Sequence, residues 1–417
     1  MSKQKGESRR KTPSRERNES PSFRAINHRL AHYALAFAIV LVPAVLATRP
    51  AQAQAYTVLH SFCSEEYCSD GAKPLAGLVA DSTGTLYGTA AGIWSEVYVC
   101  YGTVFKLHKS GNGYQVIDTP GCNLVAGLLL GVGNNLYGAT YFGGAHSCGV
   151  WGNYGCGAVF AVNDKNDKGT LLYSFTDGKD GGFPAGGLVQ DSAGDLYGTT
   201  YAGGASGYGV VFRLTKAHKE TVLHSFAGAD GANPVAGLVR DAAGNLYGTT
   251  YYGGEGLGVV FKVDKTGKET VLHKFSGTLH GAYPFAGLLR DAAGNLYGTT
   301  QWGGASNLGT VFKLDAGGKE TVLYSFSGAD GEAPRAGVIR DAAGNLYGTT
   351  EAGGAYGYGT VFKLEKTGKE TLLYSFTGGT DGSRPWAALL RDANGDLYGT
   401  ASEGGAYGYG VVFKLTP

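Results

Sequence analysis

The tripeptide Leu-Tyr-Gly returns seven times along this chain, with its tyrosines at Tyr87, Tyr137, Tyr197, Tyr247, Tyr297, Tyr347 and Tyr398. The steps between them are 50, 60, 50, 50, 50 and 51 residues. Such a period restricts the chain to a repeat architecture, in which no unit can bury its apolar face alone. Each unit holds four short apolar runs; in the fourth they are AGLVRD, NLYGTT, GVVFKVD and ETVLHKF. Rich in Val, Leu, Tyr, Phe and Thr, they read as strands. Asp241-Ala-Ala-Gly244-Asn245 joins the first two, with an Asp to open a tight turn and a Gly able to take positive φ, the chemistry of a short hairpin loop. Asp81, Asp191, Asp291, Asp341 and Asp392 hold the same place, and no helical periodicity follows residue 53.

Four strands in about 50 residues, seven times over, predict an all-β fold: a seven-bladed β-propeller of four-stranded antiparallel blades. The repeat begins on a fourth-strand sequence, YTVLHSF, and ends on a third-strand sequence, GVVFKL. The N-terminal strand 56–62 is therefore expected to join the last blade beside 410–415 and close the ring. The glycine after each key tyrosine (Gly248 in the fourth unit) marks close approach by a large side chain. The expected neighbour is a third- or fourth-strand phenylalanine of the next blade. Glycine makes up 71 of 417 residues, well above the usual share of about 7%. These glycines fall at fixed places in the repeat, which excludes collagen and disorder.

Residues 1–53 differ in kind. Residues 1–30 are polar and basic, 31–47 are apolar and uncharged, and Ala51, Ala53 and Ala55 follow. A basic segment, an apolar core and an A-x-A site describe a secretory signal peptide. The expected division is 1–53 as leader plus signal and 54–417 as one propeller domain, with no membrane span after cleavage. An uncleaved anchor is the alternative, at the short limit for spanning. Ten of the 35 Lys/Arg and three of the 34 Asp/Glu lie in 1–53, so the remainder carries 25 basic and 31 acidic residues, net −6. A mildly acidic mature chain argues against a nucleic-acid partner.

DAAGNLYGTT, the following GG, G-x-VFKL, ETVLYSF and DG-x-x-P together resemble the Gloeo/Verruco (GloVer) propeller repeat of predicted bacterial surface or secreted proteins. The likeness covers residues 56–417 and implies the fold and export, with no settled activity. The strand order also resembles that of NHL-type propeller repeats. Two units depart from the pattern: the first has YQVID for ETVLHSF, and the second has GVGNN for DAAGN and about ten extra residues around 145–156.

For an exported chain the six cysteines, Cys63, Cys68, Cys100, Cys122, Cys148 and Cys156, read as disulfides. Fifteen pairings are open; spacing favours Cys63–Cys68 and Cys148–Cys156 as local loops, leaving Cys100–Cys122. His60, His224 and His273 share one repeat position with Tyr173, Tyr324 and Tyr374. An alternating His/Tyr position reads as a half-exposed strand position, not a ligand. The Asp of D-G-x-x-P (Asp70, Asp180, Asp230, Asp330, Asp381) reads as a turn residue, because no second acid stands nearby in sequence. No metal or cofactor is expected, and no nucleophile elbow, H-E-x-x-H or phosphate-loop motif is present.

The aromatics are more telling. Trp94, Trp151, Trp302 and Trp386 all lie in second-to-third or fourth-to-first connections, which share one rim with the cysteines; Tyr141 and Tyr252 join them there. These six residues are the candidate binding set, centred near Trp151 and the insert 145–156. The expected function is an exported, monomeric binding module for extracellular polysaccharide or a surface protein, secreted or at the cell surface, with the periplasm as a further location. The alternative is an extracellular glycan lyase or hydrolase with acids near the central channel. Near-identical blades favour binding, because catalysis needs unlike residues converging on one point.

Overall fold

The computed structural model describes residues 54–93, 102–121, 123–131, 135–148, 154–163 and 165–417. The leader 1–53, Trp94, Trp151, Cys100 and Cys122 lie outside the described residues. Among those described, the strands form seven four-stranded antiparallel sheets in a ring. Blade 4 is typical: Val239–Arg240, Leu246–Thr250, Val259–Val263 and Glu269–Lys274, hydrogen-bonded in that order from the axis outward. Blades 1 to 6 are built from consecutive strands. In blade 7 the outer strand is Ala55–Ser61, antiparallel to Val411–Thr416, so the two ends of the domain meet in one sheet as expected.

The repeat motif is accounted for group by group. Asp241 Oδ1 accepts the Asn245 amide at 2.8 Å, and its Oδ2 accepts Asn245 Nδ2 at 2.8 Å and the Tyr247 hydroxyl at 3.0 Å. The key tyrosine thus clamps its own hairpin, and Arg290 of the next blade lies 5.5 Å from that tyrosine's ring centroid, a cation–π contact across the junction. Burial pushes Asp241 up, yet these hydrogen bonds and Arg290 outweigh it and hold the carboxyl below its usual range.

Two further contacts join blade to blade. Thr249 Oγ1 donates to the Ala286 carbonyl at 3.0 Å, and the same bond recurs from Thr199, Thr299, Thr349 and Thr400; Thr400 donates to Ala76 and so closes the ring. Thr89 donates to Ala126 in the same way, whereas blade 2 has Ala139 at this place. At every junction but that of blades 1 and 2, where Ile117 packs with Phe160 instead, an outer-strand phenylalanine stands edge-on to the third-strand phenylalanine of the next blade, as in Phe226–Phe261 at 5.1 Å and Phe62–Phe105 at 5.3 Å.

The glycine expectation needs correction. A Cβ on Gly248 would fall 2.7 Å from Phe261 Cζ and 2.8 Å from Leu238 Cδ2, both in its own blade. Gly248 faces Phe261 directly across the sheet, so the intruder is the cross-strand partner and not a residue of the next blade. The disulfides Cys63–Cys68 and Cys148–Cys156 are formed. No helix among the described residues is long and apolar enough to cross a membrane.

Candidate functional site

Each fourth-to-first connection ends in a turn whose residue before the proline takes a left-handed conformation. Lys73, Phe183, Asn233, Tyr283, Ala333 and Arg384 have φ between 52° and 59°, as does Asn123 of blade 2, where Leu124 replaces the proline. Such a backbone costs a non-glycine residue energy. Here two main-chain bonds hold it: the Asn233 N–H donates to Tyr208 O at 2.8 Å, and its carbonyl accepts Tyr251 N–H at 3.2 Å. The turn therefore presents the residue after the proline to the axis at the same height in each blade.

Those residues are Leu75, Val125, Ala185, Val235, Phe285, Arg335 and Trp386. All but Arg335 line one cavity of about 280 Å³, and equivalent positions from six blades can share a cavity only at the axis. Tyr141, Tyr201 and Asn123 complete its wall. Arg335 stands beside it, its guanidinium 4.2 Å from the Trp386 ring centroid and 5.3 Å from that of Phe285. Its Nε lies 2.6 Å from Glu351 Oε2, an ion pair in which the N–H is not aimed along a hydrogen bond. Arg384 continues outward, 3.8 Å from Glu351 and 3.3 Å from Glu403.

The opposite arc is phenolic. The residue following Leu-Tyr-Gly-Thr-Thr, or its counterpart, is Tyr141, Tyr201 and Tyr251 in blades 2 to 4, then Gln301 and Glu351 in blades 5 and 6. Tyr141 and Tyr201 are 6.2 Å apart, and Tyr251 donates to Gln301 Oε1 at 3.1 Å. Burial, with Tyr201 and Asp177 adding to it, pushes the Tyr141 hydroxyl up to about 12, so it stays protonated at neutral pH. A near-symmetric ring thus carries an asymmetric mouth, aromatic on one side and charged on the other.

Of the six expected binding residues, Tyr141 and Trp386 meet in this cavity. Tyr252 is exposed outside it, packed on Tyr251 at 4.6 Å and Tyr283 at 5.8 Å. Trp302 is half-buried, its backbone paired with Ala282, and it is not part of the cavity wall. Sequence reasoning passed over Phe285 and Arg335. Their signal was present: in a repeat that scarcely changes, the residue after the proline runs through Leu, Val, Ala, Val, Phe, Arg and Trp.

The model of the Gloeobacter/Verrucomicrobia repeat matches residues 45–255, 101–300, 150–342 and 287–417. The chain belongs to this family. No match was found among curated proteins. In fold, this Gloeobacter/Verrucomicrobia repeat protein is similar to the extracellular domain of a protein described as a one-component system from B. thetaiotaomicron. The TM-score is 0.55 at 12% identity, over 86% of this chain and 39% of that one, so the likeness spans well under two thirds of that protein. It is also similar to an oligogalacturonate lyase from Vibrio parahaemolyticus, with a TM-score of 0.52 at 9% identity over 86% of this chain and 93% of that one. At these identities the likeness concerns the fold alone.

Proposed function

We propose that this repeat protein is an exported binding propeller that takes a sugar ring of an extracellular polysaccharide into the axial mouth of its cysteine-bearing rim. The observation that carries the reading is the cavity itself, walled by Trp386, Phe285, Tyr141 and Tyr201. Aromatic faces stack on the apolar faces of sugars, and Arg335 and Asn123 supply polar contacts at the edge. Sites for drug-sized ligands run from about 300 Å³ upward. At about 280 Å³ this cavity fits one ring, with the rest of a glycan lying over the rim. Two formed disulfides and the signal-like leader support export to an oxidising compartment.

A glycan lyase or hydrolase is the second reading, prompted by the fold likeness to the lyase. The described wall contains no carboxylate or histidine to act as acid or base, and nearby Glu351 is held by Arg335. The test is a panel of polysaccharides incubated with the mature domain and scored for both retention and product release. Binding without products is expected; catalytic release of unsaturated or reducing ends would replace this reading with the second.

A further inference from the structure

At the outer edge of several blade junctions the fold brings a tyrosine and an aspartate, six or seven residues apart, together with a glutamate from the next blade's outer strand. Between blades 2 and 3 these are Tyr173, Asp180 and Glu220; between blades 5 and 6, Tyr324, Asp330 and Glu370. There the tyrosine hydroxyl donates to the aspartate, and an oxygen donor paired with a carboxylate asks for no ion. Between blades 3 and 4 the tyrosine is replaced by His224, beside Asp230 and Glu269. The sequence reading treated the aspartate as lacking a second acid, because the second acid arrives from the next blade's outer strand.

We propose that His224, Asp230 and Glu269 bind a divalent transition-metal ion, zinc by the chemistry of its donors, and so staple blade 3 to blade 4. One ligand atom from each lies within 4.8 Å of the others. Ligands at about 2.0–2.1 Å around tetrahedral zinc are about 3.4 Å apart, so the three need only draw in slightly around an ion. Three features prepare the site. The His224 ring is held edge-on against Phe226 at 4.9 Å, with Nε2 3.0 Å from Asp230 Oδ2. Asp230 Oδ1 accepts the Ala227 amide at 2.8 Å, which orients the carboxylate and leaves Oδ2 toward the cluster. Glu269 Oε1 is buried and has no hydrogen-bond partner, as is true of Glu220 Oε1 and Glu370 Oε1 at the tyrosine junctions, so what sets this junction apart is the imidazole nitrogen that His224 brings to the same pair of acids. Imidazole plus two carboxylates is a zinc donor set that leaves a fourth position to water. The next junction makes a related change: His280 takes the place of the aspartate, and its Nδ1 lies 2.8 Å from Glu320 Oε2, with His273 Nε2 3.7 Å from the same oxygen.

The test uses tag-free mature protein stripped with chelator and titrated with zinc by calorimetry, with melting followed in parallel. Zinc should bind saturably at micromolar or lower Kd and raise the melting temperature. H224Y recreates the donor set of the 2–3 and 5–6 junctions, so it should fold and melt like the metal-free parent. It should also lose one equivalent of bound zinc. E269Q should weaken that equivalent at least tenfold, and H273Y should leave it in place. Absence of saturable zinc binding, or an H224Y protein with the parent's stoichiometry and affinity, would overturn the proposal.

Discussion

Single residues hold this ring together by contacts repeated at successive junctions, so their individual worth can be measured. Thr249 Oγ1 gives its hydrogen to Ala286 O in a buried setting. Thr249→Val keeps the shape, deletes the donor and should cost about 1 kcal/mol, the usual net value of such a bond. Blade 2 tolerates Ala139 at this place, which bounds the effect. Denaturant melts would give the value; a loss near zero would mean that packing alone sets the junction. Titration offers a second residue-scale check. Burial, with a neighbouring aspartate adding to it, lifts Glu220 and Glu370 to about 7 from an ordinary 4.5. The folded state therefore holds their protons more tightly than the unfolded state, and this stabilisation, complete below 4.5, is lost as pH rises through 7. Buried His60 and His273, whose values are lowered, act in the opposite sense below their ordinary 6.5. In metal-free buffer the melting temperature should thus fall from pH 6.5 to 8, and E220Q/E370Q should flatten the slope. A parent profile that rises over that range would contradict the assignment.

At the scale of the element, the N-terminal strand is the test piece. Ala55–Ser61 is the outer strand of blade 7, and the fully buried Phe62 after it packs against Phe105 of blade 1. Removing residues 54–62 strips a strand, opens a sheet edge and leaves a cavity at the 7–1 junction. The whole domain, not blade 7 alone, should lose stability, by at least the roughly 3–5 kcal/mol of a buried phenylalanine. A truncated protein that melts with the parent would reject this closure. The phase of the strands was legible in the sequence because YTVLHSF and GVVFKL are recognisable halves of one blade. The partner of Gly248 was not: close approach is visible in a glycine, but which strand approaches depends on register, and register puts Phe261 opposite it.

Across the whole molecule, seven near-copies make a symmetric frame, and its function must lie where the symmetry breaks. The sequence reading sought that break in the tryptophans and in the irregular units, and so reached Trp386 and Tyr141 but placed the centre at Trp151, outside the described residues. The axis gathers one residue from each blade, about 50 positions apart, and only the ring brings Phe285, Arg335 and Trp386 within contact of one another. The same long separation hid Glu269 from Asp230. The most direct measurement is the affinity of the mature propeller for neutral, amino and uronic-acid oligosaccharides, compared with Trp386→Ala, Phe285→Ala and the control Lys366→Ala, in the turn between strands Thr360–Leu364 and Glu370–Ser375 at the opposite end of blade 6. The account predicts that an oligosaccharide binds and that each of the first two changes weakens it at least tenfold, about 1.4 kcal/mol. Lys366→Ala should have no effect, and the melting temperature should stay close to the parent's throughout. Binding that survives both aromatic changes and is lost with Lys366→Ala, or no binding by any oligosaccharide, would contradict it.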